Sequence, residues 1–346
     1  MRFCHDLSGS LPQAKVLMDN LRLRLQEISM RRLSVLLIIV LALTACAPIA
    51  PGPAQPPLAT NAKPLVIAHR GGTADYPENT LLAITQAVRN HADMIWLTVQ
   101  LSRDGVPVLY RPEDLAANTN GSGPVASKDF AELQRLNAGW QFAVTGADGS
   151  ATHLYRTQPL PVPSLDEALR AVPPAVPVIL DMKALPAGPQ AQAVARVLDA
   201  HNAWNHVLLY STDASYTPAF KAYPQARLFE SRDATRSRLA RVALAGECTA
   251  APEPGTWVAF EYRRNMDLEE SFTLGTARSA VSAKLWTPAS IACFRSKGKV
   301  NIVAIGINNA DDYRAAACLS IDAVLADSPT KMSAIKSETV TPVPCR

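Results

Sequence analysis

The chain has 346 residues, 48% of them hydrophobic, with 34 Lys/Arg against 30 Asp/Glu and a formal net charge of +4. That length allows one large domain or two small ones, and the apolar content supports a full-sized core. Residues 1–45 hold six Lys/Arg and three Asp/Glu, so the remainder carries 28 against 27, which leaves no electrostatic case for a nucleic-acid partner.

In chain order, the first feature is "RRLSVLLIIVLALTAC": two arginines, an apolar run from Leu33 to Leu43, and a small-residue site ending at Cys46. This is the pattern of a secretory leader with Met30 as its start, so residues 1–45 are read as leader. The run is short for a membrane span of ~20 residues, although a plain signal peptide or an anchor remains the alternative. "LTAC" resembles a bacterial lipobox, which implies acylation of Cys46. Ala47 in place of aspartate implies the periplasmic face of an outer membrane. Residues 46–63 are rich in Pro and Ala and read as a semi-extended tether. The domain is expected over 64–330, with 331–346 as a C-terminal tail.

From Pro64 onward, strands and helices alternate. "PLVIAH" reads as a buried strand, and "NTLLAITQAVRNH" has helical spacing with Asn79 or Thr80 as its cap. "ADMIWLTVQL" alternates as a strand. Asp104-Gly105 then turns the chain, and "VPVLY" returns as a hairpin. A polar stretch over 118–158 reads as an elaborated loop with one helix, "SKDFAELQRL". Helices are expected at "SLDEALRAV", "GPQAQAVARVLDAHN", "TPAFKAYP" and "ADDYRAAACLS". Strands are expected at "VPVIL", "HVLLYS", "ARLFE", "KVNIVAIGI" and "IDAVLAD". Both "WVAFEY" and "AVSAKLW" qualify as the sixth strand. About eight strand–helix units over this length fit a (β/α)8 TIM barrel with a hairpin and loop insertion after the second strand. No Gly-x-Gly-x-x-Gly or Walker loop follows a strand, which argues against a nucleotide-binding sheet. Beyond the leader, Cys248, Cys293, Cys318 and Cys345 allow one or two disulfides in an oxidising compartment. Three full pairings are open, as are free thiols.

"HRGGTADYPENT" (69–80) resembles the opening motif of the glycerophosphodiester phosphodiesterase family. "DGVPVLYRPEDLAANTNGSGPV", "VPSLDEAL", "ILDMK" and "IDAVLADSP" resemble its later motifs in order, over about 65–329. The resemblance implies metal-assisted hydrolysis of a phosphodiester. Two histidines would act as acid and base, and an E-x-D pair on the second strand, with an acid on the third, would hold calcium or magnesium. His69 matches the first histidine, and Arg70 the arginine that helps hold phosphate.

The departures are equally specific. Trp96 and Thr98 stand where the family has E-x-D. Arg111 stands at the second histidine, followed by Pro112 rather than aspartate, and Asp181 replaces the common glutamate. Arginine stays charged and cannot accept a proton. A divalent cation about 5 Å from it meets roughly 6–7 kcal/mol of repulsion at an effective dielectric of 20. The expectation is a cationic mouth of His69, Arg70, Arg111 and Lys183 that suits a phosphate-bearing small molecule or lipid headgroup, with Asp181 a weak metal ligand at most. Glu78 pairs with Arg70 or faces the ligand, and Lys183 pairs with Asp181 or contacts phosphate. Trp96 fills the emptied metal volume or stacks on a ligand cation. No cofactor is expected unless Glu230 and Glu261 converge to rebuild a site for a divalent cation. Two functional classes follow: a non-catalytic headgroup binder or envelope partner, and a weak or altered phosphoric diester hydrolase. On localisation, Cys46→Ala is expected to leave unprocessed precursor without lipid label; normal maturation of that variant would refute the lipobox reading.

Overall fold

In a computed structural model of the protein, which describes residues 62–345, the parallel strands are buried on both sides. Such strands are near-continuous apolar runs, as "LVIAH", "MIWLTV" and "VILDM" are. The leader, Cys46 and the tether as far as residue 61 lie outside the described residues.

The barrel strands are Leu65–His69, Met94–Leu101, Val178–Met182, Val207–Tyr210, Trp257–Glu261, Asn301–Ile305 and Ala323–Ala326. All pair in parallel with their neighbours, and the first pairs with both the second and the last. One place remains between Val207–Tyr210 and Trp257–Glu261. Leu228 and Phe229 fill it, since Leu209 bridges to Leu228 and Phe229 to Trp257. Eight strand positions therefore close the (β/α)8 barrel. The strand expected at Ala226–Glu230 contributes only this two-residue bridge.

The hairpin after the second strand is present, with Pro107–Leu109 antiparallel to Val99–Leu101. The sixth barrel strand is Trp257–Glu261, whose Val258, Ala259 and Phe260 are fully or almost fully buried. The competing segment "AVSAKLW" begins inside an exposed hairpin, Arg264–Phe272 paired with Gly275–Ala283, that is inserted after this strand. The proposed tail at 331–346 is also revised. Helix Pro329–Glu338 buries Pro329 and Met332 and belongs to the barrel. Its Ser328 cap and Pro at the first turn are ordinary helix-start signals.

Alternation along each strand divides the core. Ile67, Met94, Trp96, Ile179, Leu208, Tyr210, Phe229, Val303 and Leu325 fill the barrel interior. Their chain neighbours, such as Ile95, Leu97 and Leu180 on one side and Phe260, Ile302 and Val324 on the other, pack under the helices. Cys248 pairs with Cys293, and Cys318 with Cys345. Among the described residues no helix is long and apolar enough to cross a membrane.

Trp96 is 3% exposed, with its ring centroid 4.7 Å from Tyr210 and 6.1 Å from Phe229. It packs as a core residue of the barrel interior. Trp96→Ala is accordingly expected to cost about 3–5 kcal/mol of stability, read as a lower urea midpoint. A loss under 1 kcal/mol would show that the interior does not depend on it.

Candidate functional site

The first barrel strand ends at His69, and the chain then turns through three left-handed residues: Arg70 (φ 52°), Gly71 (φ 83°) and Gly72 (φ 116°). Glycine is needed in this turn for space as well as for φ. A Cβ on Gly72 would stand 2.8 Å from Pro329 Cδ, and one on Gly71 2.9 Å from Ala83 Cβ. The turn therefore lies flat on the first and last helices and aims His69 across the C-terminal mouth of the barrel, where such folds place their sites.

His69 Nδ1 lies 2.7 Å from Asp327 Oδ1, at the end of the last strand. An ionised carboxylate accepts, so Nδ1 carries the proton and Nε2 is left without a partner among the described residues. Thr73 Oγ1 donates to the same carboxylate at 3.0 Å, and Asn308 Nδ2 donates to its other oxygen at 2.8 Å. These bonds, that to His69 foremost, hold the Asp327 carboxyl down at about 2. Sequence reasoning missed Asp327, although it stands in the quoted "LADSP" immediately after a strand.

Arg70 donates to Glu78 at 2.6 Å, and Asn118 Nδ2 donates to the other oxygen of Glu78 at 3.1 Å. Thr80 caps the following helix by accepting from Ala83 N at 3.1 Å. Asn79, left-handed at φ 59°, instead accepts from the main-chain N–H of Thr98 at 3.0 Å. The "PENT" segment thus supplies a partner for Arg70, a brace for the second strand and a helix cap. A cavity of about 330 Å³ beside Glu78 is lined by Thr73, Pro77, Asn118, Gln141 and Phe142. A larger one, about 440 Å³, lies at the opposite barrel end around Lys63, Arg295 and Lys299, away from this chemistry.

On the second strand Trp96 pairs in register with His69, and Thr98 with Asp181. Thr98 is fully buried and its hydroxyl has no hydrogen-bond partner among the described residues. Lys183 Nζ stands 2.9 Å from Asp181 Oδ1, an ion pair without hydrogen-bond directionality. Burial raises the Asp181 carboxyl above its ordinary range, while Lys183, Arg70 and the Trp96 indole act against that. Hard cations such as calcium take six to eight oxygen ligands. Here one carboxylate, already paired with an ammonium, and one hydroxyl are available, so the residues do not fit the family's cation. Among the described residues no group of three or more His, Cys, Asp or Glu is placed to hold a metal.

Glu230 and Glu261 do not rebuild it. Glu230 accepts two bonds from Arg238, both at 2.8 Å, and one from Thr235. Glu261 does face the mouth but is held by Arg232 and, at 3.3 Å, by Arg264. The sequence reading had singled out neither arginine. Arg111, just past the returning strand of the hairpin, is exposed and makes no hydrogen bond or ion pair among the described residues.

The low-lying Asp327 carboxyl sets an acid dependence. Its folded value is below its ordinary one, so its contribution is complete above about pH 4 and is lost as pH falls through about 2. Wild type is therefore expected to exceed Asp327→Asn in urea midpoint at neutral pH, with the gap closing over that window. A gap independent of pH would exclude the charge of Asp327 as its source.

The sequence matches the Glycerophosphoryl diester phosphodiesterase family over residues 69–331. The chain is 47% identical over 273 residues to the uncharacterized protein Rv2277c of Mycobacterium tuberculosis, covering 79% of this chain and 90% of that one. The crystal structure of the glycerophosphoryl diester phosphodiesterase domain of Rv2277c superposes with a TM-score of 0.73 at 45% identity, over 79% of this chain and 99% of that one. An Oleispira antarctica phosphodiesterase, solved with its product sn-glycerol-3-phosphate, shares the fold at 21% identity and TM-score 0.56, over 80% and 98% of the two chains. With the barrel and the family's opening motif both in place, the chain belongs to the glycerophosphoryl diester phosphodiesterase family.

Proposed function

We propose that the barrel mouth binds phosphodiester or glycerophospho headgroups without the family's divalent cation, that hydrolysis there is weak or absent, and that an acyl chain on Cys46 holds the domain to the cell-envelope membrane. One observation carries the reading. Buried Trp96 and Thr98 stand on the strand beside Asp181, where the family's ligand set would hold a cation, and the one carboxylate that remains is 2.9 Å from Lys183. A fixed ammonium and the guanidinium of Arg70 replace the metal's charge in part. Arg111 adds a guanidinium with no carboxylate partner among the described residues, and its planar fork matches phosphate oxygens. The glycerol phosphate in the Oleispira protein supports the same ligand class.

The His69–Asp327 pair favours the second reading, a slow hydrolase. With Nδ1–H donated to Asp327, Nε2 is free to take the proton of a water attacking phosphorus. The P–O bond to the alcohol then breaks. Arg111 stays protonated and releases no proton, so the leaving oxygen takes its proton from solvent or from the imidazolium that His69 has become. Absence of one partner of an acid–base pair costs ~10²–10⁴ in rate.

Calorimetry with sn-glycerol-3-phosphate is expected to show binding that a chelator leaves unchanged and that Arg111→Ala weakens by about 1.5–3 kcal/mol. Unchanged affinity in that variant would overturn the anion-site reading. Micromolar one-to-one calcium binding, or hydrolysis of glycerophosphocholine that requires calcium, would establish an active metal site. Trp96→Glu, Thr98→Asp and Arg111→His together are expected to shift the mouth toward calcium.

A further inference from the structure

The hairpin Arg264–Phe272/Gly275–Ala283 is not needed to close the barrel, and its two strands form a separate sheet. Nine residues per strand make an arm of about 30 Å. Its root borders the mouth, where Arg264 reaches Glu261 at 3.3 Å. The antiparallel register pairs Met266 with Val281, Glu270 with Ala277 and Phe272 with Gly275. Met266, Leu268, Phe272, Ala277 and Val281 therefore share one face, with Glu270 and Ser279 among them, while Asp267, Glu269, Ser271 and Arg278 occupy the other. Exposure rises toward the tip: Leu268 is 39% exposed, Phe272 62% and Leu274 100%. An isolated two-stranded ribbon is marginal in water, and this one exposes large apolar side chains, Phe272 and Leu274, at its tip.

We propose that this arm docks on a lipid surface, with Phe272 and Leu274 entering the headgroup–acyl boundary and the barrel mouth held over the headgroups. This rests on the proposed acylation of Cys46. Fifteen residues lie between Cys46 and Ala62. A chain of that length spans at most about 50 Å, at ~3.1 Å per residue, so an acylated Cys46 would keep the domain near the bilayer surface. The shape also favours lipid. The most exposed side chains stand on a convex tip, which a fluid phase accommodates without a matching groove. Charge sets the lipid class. Asp267, Glu269 and Glu270 outnumber Arg264 and Arg278 on the arm, so attachment is apolar and does not require anionic lipid.

The test places acrylodan on Leu274→Cys, and separately on Asp267→Cys, in the full chain with phosphatidylcholine vesicles, with labelled wild type as the blank. The Leu274 probe is expected to shift to the blue on vesicle binding, equally at low and high salt, while the Asp267 probe stays aqueous. Phe272→Ser with Leu274→Ser in a Cys46→Ser chain is expected to lower vesicle retention tenfold or more, with an unchanged melting curve. A Leu274 probe that stays aqueous in vesicle-bound chain overturns the proposal. So does a blue shift without vesicles that grows with protein concentration, which would assign the face to a second copy. The mass of membrane-extracted wild type tests acylation separately, so absence of lipid on Cys46 beside a shifted probe would refute the anchor alone.

Discussion

The bond between His69 and Asp327 joins the first barrel strand to the last, across 258 residues of sequence. It exists only when the barrel is closed, and its geometry is set from three sides. Asn308 and Thr73 fix the carboxylate, the glycine turn fixes the approach of the imidazole, and Ala74 N donates to the main-chain oxygen of Asp327 at 2.9 Å. The turn can lie that close to the start of the last helix because Gly72 has no side chain to strike Pro329. An Nε2 left free at the mouth is thus a consequence of closure, glycine sterics and three supporting hydrogen bonds acting together.

Around that imidazole, most cations already have counter-ions. Arg70 is shared with Glu78, Lys183 with Asp181, and Arg232 and Arg264 with Glu261. The mouth is accordingly less positive than the sequence pattern suggests. A phosphate group must compete for the paired cations, while Arg111 offers an unshared one. Unpairing a buried ion costs several kcal/mol, so the lysine beside the well-buried Asp181 is held more firmly than a rim arginine. On the proposed anion-site reading, Arg111 would therefore outrank Lys183 as a determinant of affinity.

The parallel strands were legible because they are buried on both faces, and the mouth residues because each ends such a strand. The Ala226–Glu230 strand was over-read: its apolar residues are real, but only Leu228 and Phe229 meet neighbouring strands. "AVSAKLW" competed with "WVAFEY" because both alternate, and alternation alone does not say whether a strand faces a barrel or water. Asp327 and Arg232 escaped notice for a different reason. Each gains its role from a partner brought near by folding, Asp327 from His69 and Arg232 from Glu261, and an acid or arginine at an element's end has no local signature of that kind.

The three departures at Trp96, Thr98 and Arg111 are physically coupled on the proposed reading. Two carboxylates inside a barrel without a cation repel each other and lose their hydration, so their removal favours the folded state. An aromatic side chain at 96 then fills the space and joins Tyr210 and Phe229, which stand on the fourth strand and the adjoining bridge. An arginine at 111 is tolerated only once the divalent charge is gone, since the two would repel by roughly 6–7 kcal/mol at about 5 Å. Reversal is correspondingly concerted. A glutamate alone at 96 would sit among aromatic rings with its charge unpaired, and Lys183 would still hold Asp181. Rebuilding the cation site therefore requires restoring the acids and removing the Arg111 charge together, and no single one of these changes suffices.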